Sequence, residues 1–205
     1  MNATCNDCIY DLIDPAYCGV DTEYAAKMLH GVPDTTVVKR EDFLLRAAKG
    51  KIVLDIGCTG PLGEAMRKVA NRHYGIDVLA DVFPEDYFQV DLDRAQRLPE
   101  LSDVELIIAG ETIEHLSNAG HFLELLKQYD VPVIITTPNA YGAVGRMYME
   151  NGVENVNREH VCWYSWYTLK NLIERHGYSL TEWHWYNGKP RVAEGLIFCM
   201  EARDA

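Results

Sequence analysis

The segment Lys51-Ile-Val-Leu-Asp-Ile-Gly57 constrains this chain more than any other. It is a short apolar run without polar alternation, closed by glycine, and such a run reads as a strand buried on both faces. That strand needs helices on both sides, and the flanking sequence supplies them. Glu41–Lys49 places Phe43, Leu44, Ala47 and Ala48 on one helical face, with Gly50 as its stop. Pro61–Arg72, Ala119–Tyr129 and Trp166–His176 read as further helices, with shorter helical patterns near 21–29. His73–Val78, Tyr87–Val90, Val104–Ala109 and Val131–Thr137 read as strands alternating with them, and Tyr178–Tyr186 and Glu194–Glu201 close the chain as two more. Such alternation predicts a doubly wound α/β fold with right-handed crossovers. The last two strands have no helix between them and should pair antiparallel. The expected sheet has seven strands, mostly parallel, with an antiparallel last strand.

The 205 residues, 48% apolar and 24% charged, suit one domain that builds its core without staples. Residues 1–40 are polar and punctuated and read as a cap or lid; residues 41–205 carry the domain. Within it, 139–165 is too long for a plain connection, and such segments tend to be functional. A net charge of −12, from 19 basic and 31 acidic residues, repels phosphate backbones and argues against nucleic acid as a partner. No run approaches the roughly 18 apolar residues of a membrane helix. The start shows no basic-then-apolar signal, and six dispersed cysteines suit a reducing cytoplasm. Cys5 and Cys8 form a C-x-x-C with only Cys18 nearby, which reads as free thiols rather than zinc. The oligomeric state stays open.

In a doubly wound sheet, ligands bind beyond the carboxyl ends of the strands. The first such turn is Asp55-Ile-Gly-Cys-Thr-Gly-Pro-Leu-Gly63, where glycine allows close approach of a ligand. Asp77 ends the second strand, where an acid can hold a ribose diol. Asp91 ends the third, where a carboxylate can accept from an adenine amino group. Asp55 beside the glycine turn would repel a pyrophosphate, which disfavours a dehydrogenase, and would tolerate a cationic amino acid. An ammonium, a ribose and an adenine without phosphate describe S-adenosylmethionine. After the fourth strand, Glu111-Thr-Ile-Glu114-His115 clusters two carboxylates and an imidazole on one face if helical. The plain alternative is a solvated helix start.

Taken together, VLDIGCTGPLG, YGIDV, QVDLD and LIIAGETIEHL resemble the class I S-adenosylmethionine-dependent methyltransferases, from about Glu41 to Glu201. The resemblance implies a Rossmann-like sheet. It implies Asp55, Gly57 and Gly60 in the cofactor turn, Asp77 on the ribose, Asp91 on the adenine, the Leu92 amide on the ring and the Gly110 backbone on the ammonium. The family's D-x-G-x-G-x-G turn is altered, with Thr59 in place of the middle glycine. E-x-x-E-H also resembles a motif of ubiquinone-pathway O-methyltransferases and of small-RNA 3′-terminal 2′-O-methyltransferases. There it binds a divalent metal with a later histidine, which implies Glu111, Glu114, His115 and His160 as ligands of Mg2+ or Mn2+. Without metal, His115 or His160 becomes the general base and Glu114 orients it. Tyr141, Tyr148, Trp163, Tyr164 and Trp166 offer either an aromatic wall for the acceptor or core packing. The expected activity is O-methylation of a small molecule or glycan. An RNA 3′-terminal 2′-O-methyltransferase and a non-catalytic cofactor-binding partner subunit stand as alternatives.

Overall fold

A computed structural model describes residues 32, 35–79, 86–190 and 192–203. The chain divides into two compact units, Met1–Pro33 and Asp34–Ala205. The helical pattern near 21–29 and Cys5, Cys8 and Cys18 lie outside the described residues.

Within the second unit the strands are β1 (Val37–Val38), β2 (Ile52–Ile56), β3 (Arg72–Asp77), β4 (Tyr87–Gln89), β5 (Leu106–Gly110), β6 (Val133–Pro138), β7 (Tyr178–Tyr186) and β8 (Gly195–Ala202). The helices are α1 (Arg40–Ala48), α2 (Pro61–Val69), α3 (Ala119–Leu126), α4 (Ala143–Glu150) and α5 (Trp166–Arg175). The strands form one sheet in the order β1-β7-β8-β6-β5-β2-β3-β4. All neighbours are parallel except those of β8, which runs antiparallel to both β6 and β7. The expected α/β architecture and the reversed last strand are therefore present. Among the described residues the strands number eight rather than seven. The addition, Val37–Val38 on the β7 edge, is too short to show a period in sequence.

Side chains alternate across a strand, so neighbouring residues pack on opposite faces. Ile197 of β8 joins Val53, Leu106, Ile108 and Ile134 in one core with Leu44 and Ala48 of α1 and Met66 of α2. Its neighbour Phe198 faces the other way, 6.2 Å in ring-centroid distance from Trp166 of α5. On that second face α3 and α5 lie together, with the Tyr178 hydroxyl donating to the Leu123 carbonyl at 3.0 Å. Local chemistry sets the helix starts. Pro61 opens α2 behind Gly60 at φ 109°, and a Ser165–Thr168 capping box opens α5. The expected helix Pro61–Arg72 stops at Val69, because Arg72 turns into β3 and pairs with Asp86 at 2.8 Å. Inside 139–165 the chain forms α4, which buries none of its residues and so carries no core-facing stripe to read.

Candidate active site

The carboxyl ends of β2, β3 and β5 border a cleft of about 690 Å³. Of the residues expected to hold the cofactor, Asp55, Gly57, Asp77, Asp91, Leu92 and Gly110 all line it. Gly60 instead caps α2. Gly57 is obligatory in this turn: its φ is 77°, and a Cβ there would collide with the Thr112 hydroxyl, which donates to the Ile56 carbonyl at 2.9 Å. Thr59, the departure from the usual glycine turn, has a role of its own. Its hydroxyl and amide donate to Asp77 Oδ2 at 2.9 and 3.3 Å, while the Leu79 amide donates to Oδ1 at 3.1 Å. The turn is thus tied to the acid that ends β3. Among the described residues, six carboxylates line the cleft against one guanidinium, that of Arg40.

Arg40 opens α1 and reaches across the mouth of β5 and β6. Its Nε donates to Thr136 Oγ1 at 3.1 Å, and its Nη1 lies 3.5 Å from Glu111 Oε2. A Cβ on Gly110 would stand 3.0 Å from Nη2, so glycine keeps the guanidinium close to the strand end. Glu111 takes a left-handed backbone, φ 52°, which costs a non-glycine residue on the order of 1 kcal/mol. Its amide donates to the Thr136 carbonyl at 2.9 Å, and its carboxylate is gripped by the Tyr186 hydroxyl. Burial, ahead of the Glu111 charge, pushes the Tyr186 phenol far up, so it acts here as a donor.

Glu114 and His115 follow in a short 3-10 turn, Ile113–His115. The amides of Val161 and Cys162 donate to the Glu114 carbonyl at 2.9 and 3.2 Å. That docking brings His160 onto His115, with ring centroids 4.6 Å apart and edge to face. One ligand atom from each of Glu114, His115 and His160 lies within 4.8 Å of the others. Glu114 is 1% exposed. Its Oε2 accepts from Thr137 Oγ1 at 3.0 Å, and its Oε1 has no partner among the described residues. Burial pushes its carboxyl up to about 7. Burial, then the neighbouring His115, lowers the His160 imidazole.

These three residues stand between two spaces. His115 lines the cofactor-side cleft, while Glu114 and His160 line a second cavity of about 980 Å³. That cavity runs along 137–145 and 155–163 and is closed by Asn187–Lys189 and Glu194. Of the four residues expected as one metal set, the fold thus gathers three and holds Glu111 on Tyr186 and Arg40 instead. Among the aromatics, Tyr164 and Trp166 are core, Tyr141 and Tyr148 are exposed, and Trp163 alone lines the cavity. Arg40, Tyr186, Thr136 and Thr137 were not legible as site residues. Each reaches the site from another element, and only the Thr-Thr-Pro end of β6 carried a local hint.

The sequence matches the methyltransferase domain family over residues 28–182. No curated protein matches it. Among solved structures, a small RNA methyltransferase aligns with a TM-score of 0.61 at 16% identity, over 86% of this chain and 27% of that one. The chain therefore spans only about a quarter of that protein. Magnesium protoporphyrin IX methyltransferase from Synechocystis PCC 6803 aligns at 0.57 and 14% identity, over 92% and 97% of the two chains. Burkholderia thailandensis 1,6-didemethyltoxoflavin-N1-methyltransferase, solved with 1,6-didemethyltoxoflavin and S-adenosylhomocysteine, aligns at 0.57 and 11%, over 80% and 77%. At these identities the likeness is one of fold. The chain belongs to the methyltransferase domain family. The resemblance to class I S-adenosylmethionine-dependent methyltransferases is borne out at the level of family and fold. No described helix is long and apolar enough to cross a membrane.

Proposed function

We propose that this chain moves the methyl group of S-adenosylmethionine to a hydroxyl oxygen of a small molecule or sugar. The observation that carries the reading is the position of Glu114, His115 and His160 in the wall between the two spaces. The donor-side cleft suits the cofactor by charge. Its carboxylates oppose a pyrophosphate and favour a sulfonium and an ammonium. Asp77, already oriented by Thr59, takes the ribose diol, and Asp91 and Leu92 take the adenine. The Gly110 backbone faces the ammonium, and Arg40 is the one lysine or arginine among the described residues of the cleft that can meet the carboxylate.

The acceptor lies in the second cavity. S-adenosylmethionine supplies a methyl on a cationic sulfur, and its transfer is an in-line displacement by the acceptor oxygen. That oxygen attacks as it loses its proton, and His115 or His160 stands ready to accept it. The orphaned Glu114 Oε1 and the two imidazoles also fit a divalent cation, which would lower the hydroxyl pKa and fix its direction. Two imidazoles suit manganese, iron or zinc as well as magnesium. The described lining of the cavity supplies amide groups and the Trp163 ring, with Lys189 its one lysine or arginine. That composition favours a neutral hydroxylated acceptor over an RNA end.

The test is calorimetric titration with S-adenosylmethionine, with NAD as control, followed by transfer of labelled methyl to a panel of sugars and hydroxylated metabolites. Binding of the methyl donor and not of NAD is expected, and Glu114→Ala should abolish transfer while leaving donor affinity nearly unchanged. Full turnover by that variant on the acceptor would overturn the assignment. Tight donor binding without turnover on any acceptor class would favour a partner-subunit role.

A further inference from the structure

A buried chain of hydrogen bonds runs behind the cofactor cleft and belongs to no step above. Asp55 is 2% and His73 4% exposed. His73 Nε2 lies 3.0 Å from Asp55 Oδ2, and its Nδ1 lies 2.9 Å from the Tyr87 hydroxyl. The three residues come from β2, β3 and β4, adjacent strands of one sheet. No described residue donates to the other oxygen of Asp55, Oδ1, although Asp55 lines the cleft. A carboxylate in an apolar strand needs such support, because burial favours its neutral form.

We infer that His73 and Tyr87 are positioning residues that hold Asp55 as an oriented anion at the cofactor cleft, so that the site favours the cationic methyl donor over its neutral product. The inference rests on the cofactor reading above. One proton order satisfies these donors and acceptors with a neutral imidazole. An ionised Asp55 only accepts, so His73 Nε2 carries the hydrogen. The neutral ring then accepts at Nδ1, and the Tyr87 hydroxyl donates to it. Burial holds the Tyr87 phenol at about 12, so it keeps its proton. Both ring nitrogens of His73 are then satisfied, while Asp55, which lines the cleft, keeps an oxygen to which no described residue donates. S-adenosylmethionine and S-adenosylhomocysteine share the ammonium, the carboxylate and the nucleoside, and differ by one methyl and one positive charge on sulfur. An anion fixed beside the cleft discriminates between them and helps the product leave. The other groups whose charge acts on Asp55 are Asp77 on β3 and Arg40 on α1; Cys58 in the turn after β2 and Arg67 and Glu64 on α2 act on Tyr87.

The experiment measures the dissociation constants of S-adenosylmethionine and S-adenosylhomocysteine across pH for the wild type, His73→Leu, His73→Gln and Tyr87→Phe. His73→Leu removes the donor to Asp55 and should cut methyl-donor affinity roughly tenfold, the worth of one nearby charge in a half-buried site, with a smaller loss for the product. The residual donor affinity should rise with pH as the unsupported Asp55 ionises. His73→Gln offers an amide N–H to Asp55 and an amide oxygen to Tyr87, and should restore the wild-type ratio. Tyr87→Phe removes a single hydroxyl and should lower the ratio in the same direction by less, so it decides the matter if His73→Leu fails to fold. A donor-to-product ratio unchanged in both Leu and Phe variants at every pH overturns the inference and leaves the cofactor reading standing. A wild type that binds neither ligand overturns both.

Discussion

Replacing Glu114 by Gln should remove a loss of stability that the metal-free protein suffers as the pH rises. Glu114 is almost wholly buried, its Oε1 unpaired among the described residues, and burial holds its carboxyl at about 7 against 4.5 in the unfolded chain. A folded-state pKa above the unfolded one means that the folded protein binds the proton more tightly. Its contribution is therefore fully present below pH 4.5 and is lost as the pH rises through 7. At 1.36 kcal/mol per unit, the difference is about 3 kcal/mol by order of magnitude. In a domain of this size that corresponds to roughly 6–12 °C in melting temperature. Thermal melts with a chelator, at pH 5 and pH 8, should show the wild type losing that stability relative to Glu114→Gln. The amide keeps the Thr137 bond through its oxygen and carries no charge to desolvate. Added Mn2+ at pH 8 should return stability to the wild type by mass action and not to the variant. Parallel pH curves for the two proteins would refute the reasoning, because they would mean that Glu114 ionises in the fold at no cost.

Asp77→Ala should weaken S-adenosylmethionine binding by about 1–3 kcal/mol through lost hydrogen bonds, read by titration; unchanged affinity removes Asp77 from the ribose. Arg40→Met should cost S-adenosylmethionine more affinity than it costs 5′-methylthioadenosine, which lacks the amino-acid part. Equal losses would show that Arg40 acts only through Glu111 and Thr136. Gly57→Ala should destabilise the fold by roughly 1–3 kcal/mol in denaturant melts, since alanine at φ 77° is strained and its methyl meets Thr112. A wild-type midpoint would show that the turn can relax.

The sheet was legible because each buried strand is announced by its own residues. Ile52–Ile56, Leu106–Gly110 and Val133–Pro138 each open on at least three consecutive apolar residues, and such a run is local information. The cofactor cleft was legible for the same reason. Its acids sit at strand ends, so Asp55, Asp77 and Asp91 could be placed by counting along the chain. What could not be read is every contact that crosses the sheet. Tyr186 meets Glu111 from 75 residues away, and Arg40 meets Thr136 across 96. Glu111 and Glu114 looked equivalent in E-x-x-E-H, and helical spacing would have put both on one face. The left-handed turn at Glu111 breaks that spacing and sends one carboxylate to Arg40 and Tyr186, the other to Thr137 and the histidines. The two acids therefore carry different chemistry. Glu111 is matched by the Arg40 guanidinium and the Tyr186 phenol on the donor side. Glu114 is buried with one oxygen that no described residue answers, and a proton or a cation would answer it.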